Sequence, residues 1–295
     1  YWGESTQVGA LIAQKELAAE GYPIELIFED YQLVAKNSVT AAKKLVEVDG
    51  VDAIYSEFNP AAVAVGSYAK NLPVLHVYDA AVESPLENAP LTFKTYLDYR
   101  QGCKEVAEKF KQKGVEKIGF LKANLEFGQL CLKGISEVYA ENLFVEGYNL
   151  GDTDFKTQLL KLKEQNIEAV INVGFESETL NTLKVITEQG LNLPYGTVED
   201  TITAQVKEKY GKELNGSVTF GFVSVDEAFS NKIRPYVLST EYGAATAYTH
   251  IKQLARALSE CNNDLECAKN KMKSSAPDSA IGFEKFEDNI AVLKM

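Results

Sequence analysis

The stretch that most constrains the fold is 49–85, which carries a complete β-α-β unit with both of its turns. Apolar runs predict buried strands over 51–55 and 73–78, and a helix over 60–70 lies between them. Asn59 is a favourable N-cap, and Pro60 takes the first helical position, where its missing N–H costs nothing. Both turns therefore face the carboxyl edge of a parallel sheet, where small ligands bind. The free amides of this helix would suit an anion, although Asn59 could equally be only a structural cap.

Strand and helix alternate in the same way along most of the chain, which predicts an α/β fold with parallel sheets and right-handed crossovers. Residues 1–9 are expected to form a loop, and 280–295 a hairpin with its turn at 287–289. The predicted strands are 24–29, 51–55, 73–78, 91–96, 117–121, 143–149, 169–173, 194–198 and 218–223. The predicted helices are 10–20, 38–48, 60–70, 99–113, 127–141, 155–165, 178–189, 203–210 and 241–260. The alternation of strands and helices begins again midway along the chain, so two α/β units of ordinary domain size are expected to follow each other.

Charge excludes some classes of partner. The chain of 295 residues has 30 Lys and Arg against 42 Asp and Glu, a net charge of −12, without a basic block. Nucleic acid and anionic membranes are therefore poor partners. No window approaches the roughly 20 apolar residues of a membrane span, and no signal peptide is recognisable, although a mature chain would have lost one.

Four cysteines are present. Cys261 and Cys267 close a short loop after a predicted helix, so we predict a disulfide there. Cys103 and Cys131 begin two predicted helices and form a second candidate pair. With only His76 and His250 available and no CxxC, a zinc site is not expected. Neither a metal nor a cofactor is predicted, and the cysteine pattern favours an oxidising compartment.

Signatures of catalysis are missing. No G-x-S-x-G, H-E-x-x-H, P-loop or G-x-G-x-x-G follows a predicted strand, so an enzyme is not expected. Aromatic side chains instead cluster in or beside turns after predicted strands, as in the walls of a small-molecule cleft. These aromatics are Trp2, Tyr55, Phe58, Tyr78, Phe127 and Phe175.

The order of these features resembles the type I periplasmic binding proteins, in particular the leucine/isoleucine/valine-binding branch of ABC-transporter receptors. The matching segments include VGALIAQKELAAEG, AAKKLVEVDGVDAIYS, NLPVLHVYDA, KIGFLKANLEFGQ and GDTDFKTQLLKLKEQNIEAVINVG. The resemblance implies two doubly wound parallel-sheet lobes joined by a three-crossover hinge. The first lobe would comprise 1–95 and 226–278, and the second 96–225 and 279–295.

The resemblance also implies ligand-binding positions. Where amino-acid binders of this family place a serine after the second strand, this chain has Asn59. The next turn, which elsewhere supplies a carbonyl and a threonine hydroxyl, is Asp79-Ala80-Ala81. In the second lobe the corresponding aromatics are Phe127 and Phe175, and the acid that takes an ammonium group is Glu199 or Asp200. Loss of both hydroxyls disfavours ordinary α-amino acids and favours a small carboxylate or amide, aromatic ones included, with a nonstandard amino acid next.

The expected function is that of a monomeric, exported solute-binding protein, periplasmic or extracellular and free or lipid-anchored. It would capture a small molecule by hinge closure and present it to the membrane permease of an ABC transporter. A ligand-sensing receptor or regulator of the same fold is the alternative, and an enzyme with an unrecognised carboxylate pair is a third. The family begins with a central strand that this sequence does not show, so about ten preceding residues are expected to be missing.

Overall fold

The structure is a computed structural model of the chain, and it describes residues 2–221, 225–236, 240–274, 279–281 and 283–293. The helices are α1 (Trp2–Glu20), α2 (Ala35–Lys43, continued by a π-helical turn Lys44–Val48), α3 (Asn59–Ala69), α4 (Tyr99–Gln112), α5 (Glu126–Tyr139), α6 (Lys156–Glu164), α7 (Glu176–Glu188), α8 (Ala204–Tyr210), α9 (Glu227–Ile233), α10 (Glu241–Glu260) and α11 (Leu265–Met272). The strands are β1 (Ala53–Glu57), β2 (Leu75–Asp79), β3 (Thr92–Lys94), β4 (Ile118–Ala123), β5 (Leu143–Tyr148), β6 (Ala169–Asn172), β7 (Tyr195–Val198), β8 (Val218–Phe220), β9 (Phe283–Glu287) and β10 (Ile290–Leu293). Short 3₁₀ helices lie at Ser84–Leu86, Ala140–Asn142 and Glu199–Thr201.

The chain divides into two compact units. The first contains Tyr1–Tyr96 and Val223–Met295, and its sheet has the strand order β1-β2-β3-β10-β9. Strands β1, β2, β3 and β10 are parallel, and β9 is antiparallel to β10. Helix α1 packs against α10, and α2 against α3. The parallel strands bring the turns after β1, β2 and β3 to a common carboxyl edge.

The second unit, Leu97–Phe222, is built on a fully parallel sheet of order β5-β4-β6-β7-β8. From β4 the chain moves outward to β5 and then returns to the other side of β4 as β6. The carboxyl ends of β4 and β6 therefore flank a topological switch point, the usual ligand position in an open α/β sheet. The predicted α/β fold with parallel sheets is confirmed.

Two predictions for the first unit are wrong. The expected loop over 1–9 is helical from Trp2 onward, since α1 packs along α10 and Thr6 Oγ1 donates a hydrogen bond of 2.5 Å to Glu57 Oε1. The segment 24–29 forms no strand, and it has no ladder partner in the described part of the chain. An alternating pattern makes a strand only where a neighbouring strand can accept and donate its hydrogen bonds.

The C-terminal hairpin is confirmed, but its predicted assignment to the second lobe is wrong. Strand β10 pairs with β3, and Lys94 N donates a 2.8 Å bond to Asn289 O, so 283–293 belong to the first sheet. The crossings at 96–97 and 222–223 are two of the three predicted crossovers, and the third stays a prediction.

Both cysteine pairs form disulfides. Cys103–Cys131 joins α4 to α5 in the second unit, and Cys261–Cys267 joins the end of α10 to α11 in the first. Across the described ranges, no helix is both long and apolar enough to cross a membrane.

Candidate functional site

Two hydrogen bonds connect the turns after β1 and β2 at the carboxyl edge of the first sheet. Phe58 N donates to Asp79 O at 3.0 Å, and Ala81 N donates to Asn59 Oδ1 at 2.9 Å. The backbone of Phe58 adopts φ 64° and ψ 148°. Residues other than glycine rarely occupy this region, and those that do are often found at functional sites. Asn59 and the Ala81 amide are thus engaged with each other, so the Asn59 side chain has its nitrogen rather than its oxygen left for a solute.

A buried polar cluster lies on one face of this edge. Tyr55 and Glu57 of β1 point to the same side of the sheet, and Glu57 is in register with Asp79 of β2. Thr95 Oγ1 lies 3.3 Å from Asp79 Oδ1, and Tyr242 of α10 acts electrostatically on Asp79. Burial, and next the charge of Glu57, raise the pKa of Asp79 well above its usual value. Burial likewise raises the pKa of Tyr55 well above its usual value.

The other predicted positions of the first unit differ in their surroundings. Ala80 and Ala81 are buried in the turn after β2. Tyr78 is fully buried and its hydroxyl donates to Val82 O at 2.9 Å, so its polar atom is already satisfied within the fold. Trp2 is the first residue of α1, and its side chain lies outside the described part.

Both predicted aromatics of the second unit lie at its switch point. Phe127 follows β4 in the first turn of α5, is buried and contacts Tyr99 with 5.6 Å between ring centres. Gly128 is needed there, because a Cβ would lie 2.1 Å from Ala123 O at the end of β4. Phe175 follows β6, precedes α7 and is 59% exposed. Phe175 therefore offers an apolar surface at this edge, whereas Phe127 is buried and packs against Tyr99.

The predicted acids follow the next strand, β7. Glu199 and Asp200 form the 3₁₀ turn after β7, at the same sheet edge as Phe175. Burial of its carboxyl group raises the pKa of Asp200 to about 6, although more than a third of the residue's surface is exposed. Two carboxyl groups here favour a hydrogen-bond donor on the solute.

Sequence reasoning missed several members of the first unit's cluster. Glu57 was one of many acids near turns, and nothing in the sequence distinguished it from solvated ones. Thr95 and Tyr242 come from a short strand end and a helix far away in sequence. Only the strand register reveals that these groups share a face. Within the described ranges, no group of three or more His, Cys, Asp or Glu could hold a metal ion.

Comparisons with known proteins agree with this architecture. A family model described as periplasmic binding protein matches residues 1–291. The Leu/Ile/Val-binding protein homolog 2 of Brucella abortus is 26% identical over 237 residues, which cover 75% of this chain and 62% of that protein. The chain thus spans less than two thirds of this curated relative.

Solved structures show the same fold. The branched-chain amino acid transporter substrate-binding protein of Streptococcus pneumoniae, in complex with isoleucine, superposes with a TM-score of 0.76 at 20% identity, covering 99% of this chain and 89% of that one. A solute-binding protein of an ABC transporter from Rhodopseudomonas palustris, in complex with 3,4-dihydroxybenzoic acid, gives 0.76 at 18% identity, covering 99% and 86%.

Proposed function

Because the chain belongs to the periplasmic binding protein family, we propose that it is the solute-binding component of an ABC transporter. The chain is a periplasmic binding protein and not an enzyme. The observation that supports the proposal is the placement of polar and aromatic side chains after the carboxyl ends of parallel strands in both sheets, with an exposed Phe175 at the switch point of the second. Capture would proceed by hinge closure of the two lobes, followed by delivery to a membrane permease.

The solute would be a small molecule that bears an amide or a carboxylate, or an amino acid. The names of the Brucella and Streptococcus proteins support an amino acid. An aromatic acid is the second candidate, supported by the exposed ring of Phe175 and by the ligand of the Rhodopseudomonas protein. A sensor built on the same lobes would bind the same solutes but pass the signal to a receptor instead of a permease.

The test begins with mass spectrometry of small molecules released by denaturing the purified protein. Thermal-shift measurements then follow with amino acids, aromatic acids and amides. Ligand at about 100 times its dissociation constant adds about 2.7 kcal/mol of stability, enough for a clear shift. If no small molecule is released and none shifts the transition, the solute-binding function is refuted.

The solute identified in this way is then used to test whether Phe175 and Glu199 of the second unit contact it. We expect Phe175→Ala to weaken its affinity about tenfold, because an apolar contact is lost. We also expect Glu199→Gln to weaken a solute that carries a positive nitrogen. Val48→Ala is the control, since Val48 is a 77% exposed apolar residue that lies before the amino end of β1 rather than after a carboxyl end. If Phe175→Ala and Glu199→Gln both leave the affinity for the solute within about twofold of wild type, roughly 0.4 kcal/mol, these two residues do not contact the solute.

A further inference from the structure

We propose that the first unit recognises a positively charged nitrogen of the solute, an ammonium or amidinium group, through Asp79 Oδ2 and the Tyr55 hydroxyl. This inference rests on the proposed solute-binding function and names the chemical class of its ligand. It departs from a carboxylate held by the amides of α3, because the buried atoms left without a partner at this edge are oxygens that accept hydrogen bonds.

The two groups occupy the place where a solute would bind. Asp79 is the last residue of β2, and Tyr55 lies two residues before the end of β1, on the same face of the sheet. Thr95 Oγ1, just after β3, lies 3.3 Å from Asp79 Oδ1 and 3.1 Å from Tyr78 O, so its one hydroxyl proton is shared between two acceptors. The contact with Oδ1 orients the carboxyl group and leaves Oδ2 as its second oxygen.

Both atoms lack a partner in the described structure. Asp79 is 3% exposed, and its Oδ2 is fully buried without a hydrogen bond to any described residue. The hydroxyl oxygen of Tyr55 is also fully buried; Thr95 is its polar neighbour but lies outside hydrogen-bond geometry. A buried polar atom left unsatisfied costs about 1–3 kcal/mol. Two such atoms at a ligand-binding edge indicate a missing group that donates to both, and an ammonium or amidinium does so with its N–H bonds.

The charges around Asp79 favour a cation over an anion. Glu57 of β1 faces it and adds a second negative charge, while the facing side chains of Tyr55 and Tyr242 are neutral phenols. Lys94 of β3 is the cation that acts on Asp79, and its Nζ lies 3.9 Å from Glu83 Oε1. A carboxylate brought to this position would be repelled by the charge of Glu57, whereas a positive nitrogen would be attracted by Glu57 and by Asp79 once Asp79 has lost its proton.

Binding of a cation to Asp79 would be coupled to the loss of its proton, which makes the affinity depend on pH. Asp79 holds its proton to an unusually high pH in the free protein, and a cation would displace that proton on binding. Affinity for a cation must then rise with pH, by up to about tenfold per pH unit. If a protonated Asp79 instead donated a hydrogen bond to an acceptor on the solute, affinity would fall with pH.

The experiment uses three compounds that share one apolar body: L-leucine, 3-methylbutylamine, which lacks the carboxylate, and 4-methylpentanoate, which lacks the ammonium. Isothermal titration of the full chain measures each dissociation constant at about pH 5.5 and about pH 7.5. We expect the amine-bearing compounds to bind at least about tenfold more tightly than 4-methylpentanoate, with a higher affinity at pH 7.5 than at pH 5.5. Asp79→Asn should remove both the preference and the pH dependence, and Tyr55→Phe should weaken amine binding about tenfold.

Asp52→Asn is the matched control, because it removes an exposed carboxylate from the opposite edge of the same sheet. It should leave every affinity within about twofold. Equal or tighter binding of 4-methylpentanoate, affinity that falls with pH, or amine binding that survives Asp79→Asn overturns the inference and leaves the solute-binding function intact. Failure of all three compounds, with a released solute that lacks a basic nitrogen, overturns it as well. Failure of all three with no released solute refutes the solute-binding function itself.

Discussion

At the scale of single residues, the buried carboxyl group of Asp79 lowers the stability of the fold at high pH, whereas the ionised group is proposed to bind the solute. Its pKa is raised above the unfolded value, so the native protein holds more protons than the unfolded chain. Stability therefore falls as pH rises from about 4 through the native pKa. We expect Asp79→Asn to raise the free energy of unfolding at pH 8 by about 1–2 kcal/mol, with a smaller gain toward pH 4. Urea unfolding at several pH values measures this gain.

Asp52→Asn again serves as the control and should change stability by less than about 0.5 kcal/mol at any pH. A destabilised Asp79→Asn at pH 8 would show that the ionised carboxylate has stabilising partners in the folded state.

His76 makes the opposite pH prediction. The residue is fully buried in β2, its Nε2 lies 2.9 Å from Ser56 Oγ, and burial lowers its pKa to about 3. A base with a depressed pKa is protonated first in the unfolded chain, so stability is present above about pH 6.5 and is lost as pH falls toward 3. We expect wild type to lose about 2.5 kcal/mol between pH 7.5 and pH 4.5 through this group alone.

His76→Gln should reduce that loss, since glutamine does not titrate, while lowering stability at pH 7.5 through altered packing. The measurement is the slope of unfolding free energy against pH. An unchanged slope would mean that His76 titrates normally in the folded state.

At the scale of elements, the contact between α1 and α10 organises the first unit. The helices approach so closely at Gly9 that a Cβ there would lie 1.9 Å from Ala244 O. Farther along, the 3% exposed Lys252 bonds Glu16 at 3.0 Å and Glu20 at 2.8 Å. Burial would raise the pKa of Glu16, but hydrogen bonds from Lys232, Tyr248 and Lys252 lower it to about 2. The buried ammonium group of Lys252 on α10 thus binds two carboxylates of α1.

We therefore expect Lys252→Met to lower the free energy of unfolding by about 2–3 kcal/mol, because Glu16 and Glu20 lose the buried cation that binds both and keep only the more exposed Lys232 and Arg256. Lys232→Met is the matched control. Lys232 also contacts Glu16, at 2.7 Å, but its side chain is largely exposed, so the loss should stay below about 1 kcal/mol. Chemical denaturation of both variants gives the comparison. Equal losses would contradict the special role of the buried lysine.

The same elements show what the sequence could predict. Strands such as β4 are buried on both faces and appear as continuous apolar runs, and helices such as α10 show regular apolar spacing, so both were predictable. The first turns of α1 were not, because Gly3 and several polar residues conceal a helix stabilised by its packing on α10. The partnership of Tyr55 with Asp79 also needed the register of β1 against β2, which no local pattern contains.

At the scale of the whole molecule, the two units differ in how the chain builds them. The first is assembled from two distant segments, and its C-terminal hairpin was assigned to the wrong lobe because strand pairing across so long a separation leaves no local signal. The second is one continuous segment, Leu97–Phe222, with its own five-stranded sheet and its own disulfide. Sheet, covering helices and crosslink all lie within it, so its core is complete without the first unit.

We accordingly expect a fragment of 97–221 to fold alone and to unfold in one cooperative transition in urea, followed by circular dichroism. The disulfide Cys103–Cys131 closes a loop with a sequence separation of 28. Loop-closure entropy then predicts that reducing it lowers the unfolding free energy by about 3.5 kcal/mol. The Cys103→Ala/Cys131→Ala fragment should reproduce the reduced value, which separates loss of the crosslink from effects of the reductant. A fragment that unfolds without a cooperative transition, even when oxidised, would mean that the second unit depends on the first for its native packing, despite containing every strand of its sheet.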